Sequence, residues 1–218
     1  MLVFQYCVKQ DPYIDYHSCS GIGIMESIEG SKLLNFLELM GQLKHVKRTG
    51  WVMEKVENPE TIAGHMYRMA VMCFLLDSDS SFGNLNKNRC IQLSLVHDMA
   101  ECIVGDITPH CGVPVEEKHK RETEAMQKLS EMTGAAGESM KKLFEEYEAQ
   151  ETAEAKFVKE LDRLDMVIQA FEYEKRDNAH GKLQEFFDST QGKFSHPLII
   201  KILSEVYKVR SDQLANNK

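Results

Sequence analysis

The chain has 218 residues, 43% of them hydrophobic and 28% charged, the ordinary balance of a water-soluble globular protein able to bury a sizeable core in one domain or two small ones. Its 34 acidic and 26 basic side chains give a formal charge of −8, and the basic residues are interleaved with acids. That pattern excludes a broad nucleic-acid footprint, and the absence of any run of roughly 18 uninterrupted apolar residues argues against a membrane span.

Residues 1–24 carry Lys9, Asp11 and Asp15 without a continuous apolar stretch, so they do not read as a signal peptide. They have no sustained period and precede Met25, an alternative start. We expect a flexible extension over 1–24 and a single folded domain over 25–218. The six cysteines show no CxxC pairing and lie mostly in apolar helical text, which suits reduced thiols in the cytoplasm or nucleus.

From Ser27 the pattern turns helical: Leu33, Leu34, Leu37, Met40 and Leu43 recur at steps of three and four, the spacing of one buried face, with an end near Val46. KRTGWVMEKVENPE then reads as a connection. Asn58, Pro59 and Glu60 form a start signal, with Asn as N-cap and Pro in the first helical position, for a helix over 59–76. A loop follows, and residues 87–104 predict a central helix, apolar nearly all round and terminated by Gly105. Further helices are predicted over 116–132, 137–149, 153–175 (capped by Thr152, with Phe157, Leu161, Leu164 and Ile168 as core stripe), 183–187 and 197–214. With no convincing strand, the economical architecture is one all-α domain.

One place breaks the apolar pattern. His97-Asp98 sits inside LSLVHDMAECIVGD, and a buried ionised carboxylate costs several kcal/mol unless paired, hydrogen-bonded or coordinated. On a continuous helix His97 and Glu101 share a face, with Asp98 beside them. Asp106 follows the terminating glycine. His65 lies near the buried stripe of the preceding helix, and Asp162 neighbours Val158 and Leu161. If these helices pack together, His65, His97, Asp98 and Asp162 offer two imidazoles and two carboxylates, a set that suits a divalent cation without deciding which. Asp165, one turn after Asp162, is an equal candidate by periodicity.

The order H, then HD, then D on a helical chain resembles the HD-domain phosphohydrolase superfamily. The stretches LLNFLELMGQLKHVKRTGW, NPETIAGHMYRMAVM, LSLVHDMAECIVGD and AEAKFVKELD resemble its 5′-deoxynucleotidases, over residues 31–210. The resemblance implies a single HD-domain helical bundle and a phosphatase acting on deoxyribonucleoside 5′-monophosphates. It further implies His65, His97, Asp98 and Asp162 as ligands of a divalent metal (Mn, Co, Mg or another). Glu101 becomes the catalytic acid or base, assisted by Asp106; Glu101, Asp106 and the backbone of Ile107 also serve a second, weaker cation site. Arg48 and Trp51, in RTGW, match the region that contacts phosphate and sugar, and the family implies a homodimer with no nucleic-acid polymer or membrane as partner. A divalent ion lowers the pKa of a bound water and offsets phosphoryl charge, and a guanidinium gives phosphate a planar fork, so the residue chemistry agrees.

One position departs from the family pattern: Gly64 stands where an acidic residue usually precedes the first metal histidine. A carboxylate orienting His65 is then missing, a loss that typically reduces metal affinity or activity about 10- to 100-fold. Two other readings compete. A two-metal HD phosphodiesterase acting on cyclic nucleotides requires His110 and His119 as ligands, and a non-catalytic helical module would keep the metal for stability alone. Lys118, on the charged helix, is a further candidate for phosphate.

Overall fold

The computed structural model describes residues 28–216, so the extension expected over 1–24 lies outside the described residues. Among them ten α-helices form and no strand, only an isolated antiparallel bridge between Lys47 and Thr61. No helix among the described residues is long and apolar enough to cross a membrane. The helices are α1 (Gly30–Gln42), α2 (Thr49–Met53), α3 (Ile62–Met72), α4 (Lys87–Val96), α5 (Glu101–Val104), α6 (Val115–Thr133), α7 (Ala135–Ala149), α8 (Ala153–Arg176), α9 (Gln184–Asp188) and α10 (Pro197–Asn216).

The axis of the bundle is α8, 24 residues and about 36 Å long at 1.5 Å per residue. Its side chains are apolar on the faces met by α3, α4, α7 and α10, and Val158, Leu161, Leu164 and Val167 are wholly buried. Truncating one such leucine to alanine costs about 2–5 kcal/mol. Thr152 starts the helix as expected, its hydroxyl accepting the Ala155 N–H at 3.1 Å, and Lys175 and Arg176 complement the helix dipole in the last turn. A second, smaller core joins Trp51 of α2 to Val167 and Tyr173 of α8 and to Phe187 of α9.

Four expectations are corrected. The stripe on α1 is not one buried face: Leu33, Leu34 and Leu37 are 40%, 57% and 62% exposed, while Phe36, Leu39, Met40 and Leu43 pack on the core. Both rows of this helix are apolar, and periodicity cannot say which one faces a neighbour. Helix α3 begins at Ile62 with Thr61 as N-cap, its hydroxyl accepting the Gly64 N–H at 3.2 Å. Asn58 instead adopts a left-handed φ of 48° in the preceding turn, which short polar side chains tolerate. The short helix α2 forms inside what reads as a connection.

The fourth correction bears on chemistry. The central helix is broken: α4 ends at Val96 and α5 starts at Glu101. Between them the amides of Met99, Glu101 and Cys102 bond three residues back rather than four, to the carbonyls of Val96, Asp98 and Met99. Such tightening overwinds the chain. His97 and Asp98 therefore sit on a turn at the end of α4, not on a continuous helix face.

Candidate metal centre and active-site cleft

Where α3, the α4–α5 turn and α8 meet, four side chains converge. His65 lies in the first turns of α3 and His97 caps the C-terminus of α4, both buried. His65 Nε2 lies 3.2 Å from Asp162 Oδ1 and 3.7 Å from Asp98 Oδ2, and His97 Nε2 lies 3.2 Å from the same Asp98 oxygen. The two rings stand edge to face with centroids 5.4 Å apart. These are the four residues that the sequence singled out, drawn from positions up to 97 residues apart.

The far side of each ring explains which nitrogen faces inward. His65 Nδ1 is 2.7 Å from Asp165 Oδ2, and His97 Nδ1 is 3.0 Å from the Ser94 carbonyl. An acceptor at Nδ1 places a proton there, so in the neutral ring the lone pair belongs to Nε2. Both Nε2 atoms are buried and make no well-aligned hydrogen bond, their neighbours being the carboxylate oxygens at 3.2 Å, and Glu101 Oε2 is buried without a partner. A buried polar atom left unpaired costs roughly 1–3 kcal/mol, so this cluster is expensive unless it serves a cation. His65, His97 and Asp98 bring two imidazole nitrogens and a carboxylate close enough together for one divalent ion, and Asp162 adds a second carboxylate 3.2 Å from His65 Nε2.

The charges agree. Burial and the nearby Arg48 both act to lower the pKa of His65, yet the Asp162 and Asp165 carboxylates outweigh them and raise it to about 9. Burial alone would raise Asp98, but His97, Arg48 and His65 hold it below the usual carboxylate range. Carboxylates that draw a proton to an imidazole equally draw a metal cation. Glu101 moves the other way: burial, then the charges of Asp98 and Asp106, push its carboxyl well above its ordinary value.

Asp98 and Asp162 line a cleft of about 600 Å³ together with Arg48, Trp51, Glu101, Lys118, Lys159 and Phe186, and the two histidines lie buried behind them. Arg48, just before α2, reaches over the carboxylates with Nη1 3.2 Å from Asp98 Oδ2 and Nη2 3.8 Å from Asp162 Oδ1. Trp51 is buried, its indole N–H donating to Glu60 Oε1 at 2.9 Å and its ring 4.3 Å from that of Phe186. It walls the cleft with its face. Asp106 tethers this segment, as its Oδ2 accepts the Thr49 N–H at 2.6 Å, and the buried Ile107 follows it along the lining.

His110 and His119 do not join the cluster. His119 faces outward and pairs with Glu148 at 3.2 Å; His110 stands at the cleft rim, 3.8 Å from Glu185. Sequence reasoning missed Phe186, for which it carried no signal. It also missed the Tyr147 hydroxyl, which donates to Asp162 Oδ2 at 3.2 Å and accepts from Lys159 at 2.9 Å. Lys159, one turn before Asp162 on α8, was visible as an i, i+3 neighbour. Asp165 is resolved from its rival: Asp162 faces the Nε2 side of His65 and Asp165 the Nδ1 side. The carboxylate expected to be missing because of Gly64 is thus present, supplied by α8.

An all-α bundle that gathers two buried histidines and two aspartates beneath a cleft lined by both basic and acidic side chains has the architecture of a metal-dependent hydrolase. Residues 40–200 match the HD domain, and the chain belongs to the HD-domain family. It is 51% identical over 199 residues, 91% of this chain and 95% of the relative, to the protein named 5′-deoxynucleotidase HDDC2 of Bos taurus. Identity to the Homo sapiens protein of that name is 52% over 184 residues, 84% of this chain and 88% of the relative. Among solved structures, a conserved hypothetical protein from Pyrococcus furiosus superposes with a TM-score of 0.66 at 28% identity, over 80% of this chain and 99% of that one.

Proposed function

We propose that this chain is a 5′-deoxynucleotidase, a metal-dependent hydrolase that converts deoxyribonucleoside 5′-monophosphates to deoxynucleoside and phosphate. The observation that carries the reading is the pair of buried imidazole nitrogens, His65 Nε2 and His97 Nε2, each 3.2 Å from a carboxylate oxygen of Asp162 or Asp98, two residues that line a cleft shared with Arg48 and Lys118. The deoxynucleotide comes from the names of relatives at about half identity over most of the chain.

In this reading His65, His97, Asp98 and Asp162 hold the ion, with Mn, Co and Mg as candidates. When bound, a divalent ion supplies Lewis acidity toward a phosphoryl oxygen and lowers the pKa of a water. Arg48 offers the phosphate a planar fork, and Lys118 adds a second positive charge at the lining. Glu101, whose pKa is raised by burial and by the charges of Asp98 and Asp106, is the candidate acid for the leaving 5′ oxygen. Trp51 and Phe186 shield one side of the cleft from water. Once its proton has left, the Glu101 carboxylate can join Asp106 and the Ile107 carbonyl in serving a weaker second cation.

A homodimer belongs to the same reading, supported by the exposed apolar row Tyr67, Val71 and Phe74 on one side of α3 and its extension. So does a cytoplasmic setting, supported by the free thiols of Cys73, Cys90, Cys102 and Cys111. The test is phosphate release from a panel of deoxy- and ribonucleoside monophosphates by protein loaded with Mn or Co. Release from the deoxy series that disappears in His97→Ala supports the assignment. A loaded protein that releases none, with His97→Ala behaving identically, overturns it.

A further inference from the structure

Gly64 puts no side chain beside His65, and the acceptor for the His65 ring comes from the facing helix. Asp165 is wholly buried, and both its oxygens are committed: Oδ2 lies 2.7 Å from His65 Nδ1, and Oδ1 accepts the Arg68 Nε–H at 2.5 Å. Arg68 stands one turn after His65 on α3, so one helix supplies both groups that grip the carboxylate. The guanidinium is itself fixed from α8: Nη2 donates to Gln169 Oε1 at 2.9 Å and to the Asp165 carbonyl at 3.3 Å, and Nη1 to Glu172 Oε2 at 2.7 Å.

We propose that Asp165 is a positioning residue of the metal centre: by accepting a hydrogen bond from His65 Nδ1–H it fixes the ring and leaves Nε2 bare toward the cation, while Arg68 locks the carboxylate in register. This rests on the metal-centre reading above and goes beyond it, since Asp165 touches the ligand and not the ion. Hydrogen-bonded carboxylates behind a ligating imidazole set both its tautomer and its basicity.

The arrangement makes Asp165→Asn diagnostic. Arg68 Nε is only a donor, so the new amide must turn its oxygen to Arg68 and its NH2 to His65 Nδ1. A donor in that place moves the ring proton to Nε2, the atom the cation needs. Removing Arg68 at the same time frees the amide to flip and offer its oxygen to Nδ1 again. A purely structural Asp165 would show no such rescue.

The experiment is a Mn2+ titration followed by EPR on the full-length protein for wild type, Asp165→Asn, Arg68→Met and the double variant, with thermal melts to confirm folding. Affinity is expected to fall about 10- to 100-fold in Asp165→Asn, to fall less in Arg68→Met, and to recover in the double variant relative to Asp165→Asn. Wild-type affinity in Asp165→Asn, or a double variant no tighter than Asp165→Asn, overturns the proposal. Should Asp165→Asn fail to fold, NMR of the Zn2+-loaded wild type decides: a His65 Nδ1–H resonance supports the proposal and its absence overturns it. A wild-type protein that takes up no divalent ion removes the metal-centre reading itself, and the positioning role with it.

Discussion

Asp106 and Thr49, 57 positions apart, are locked together twice: Asp106 Oδ2 accepts the Thr49 N–H at 2.6 Å, and the Thr49 hydroxyl donates to the Asp106 carbonyl at 2.7 Å. This pins the start of α2, and with it Arg48 and Trp51, to the loop that leaves α5. Asp106 therefore anchors this wall of the cleft as well as adding charge near Glu101. Asp106→Asn keeps an acceptor for Thr49 and Asp106→Ala does not. A hydrogen bond to a charged group is worth about 1.5–3 kcal/mol, so the alanine variant should raise KM roughly tenfold or more, with asparagine between it and wild type. Steady-state kinetics on a deoxynucleotide check the order; equal KM values in all three proteins would contradict the anchor.

Glu101 is buried, with one oxygen unpartnered, and burial followed by the charges of Asp98 and Asp106 raises its pKa well above that of a solvated glutamate. Glu101→Gln should lower kcat by about 10²- to 10⁴-fold, the range for general acid catalysis, and leave Mn2+ affinity at the His65 centre nearly unchanged. The loss should shrink on p-nitrophenyl phosphate, whose leaving group needs little protonation. An equal loss on both substrates would remove Glu101 from the acid role.

Arg48 spans Asp98 and Asp162 with two different nitrogens. Lysine keeps the charge but not the fork. Arg48→Lys is expected to weaken both deoxynucleotide KM and inhibition by inorganic phosphate, by about tenfold for each 1.4 kcal/mol lost. Parallel loss in the two measurements identifies phosphate as the group contacted. A raised KM with unchanged phosphate inhibition would place the contact elsewhere on the nucleotide.

A further prediction concerns stability away from the site. Glu174 and Arg210 form a buried pair at 2.8 and 3.0 Å, and Glu174 Oε1 also accepts the Leu183 N–H. Burial raises the Glu174 pKa, but Arg210 and the backbone donors outweigh it and hold the carboxyl below its ordinary 4.5. For a depressed acid the stabilisation is present above the unfolded value and is lost as pH falls through the folded one. Wild-type Tm should hold from neutrality down to about pH 4.5 and then drop. Glu174→Gln should start lower by the roughly 3–5 kcal/mol typical of a broken buried pair, and show a flatter acid limb. Superimposable Tm–pH curves for the two proteins would refute this.

Much of the centre was legible because its residues violate a pattern. His97 and Asp98 stand out in apolar text, and Thr152 and Gly105 announce helix limits by local chemistry that the structure keeps. What stayed hidden depends on through-space partners. No periodicity says that α1 turns Leu37 outward, or that the chain overwinds after Val96, since both follow from what packs alongside. Asp165 shows the same limit: spacing alone made it the equal of Asp162, and only the position of the His65 ring between them puts Asp162 on the Nε2 side and Asp165 on the Nδ1 side. Gly64 read as a missing carboxylate because sequence neighbours were the only ones visible.

Asp162 and Asp165 occupy successive turns of one straight rod and meet opposite sides of the same ring. A residue inserted or deleted in α8 between Thr152 and Asp162 would turn both carboxylates by about 100° and shift them about 1.5 Å along the axis together. The centre is thus gauged by helix pitch, with nothing downstream able to correct an error of one residue. Length changes should be tolerated in the turns flanking α8 and forbidden within that stretch, so the spacing from Thr152 to Asp162 acts as a measure as strict as the identity of the ligands themselves.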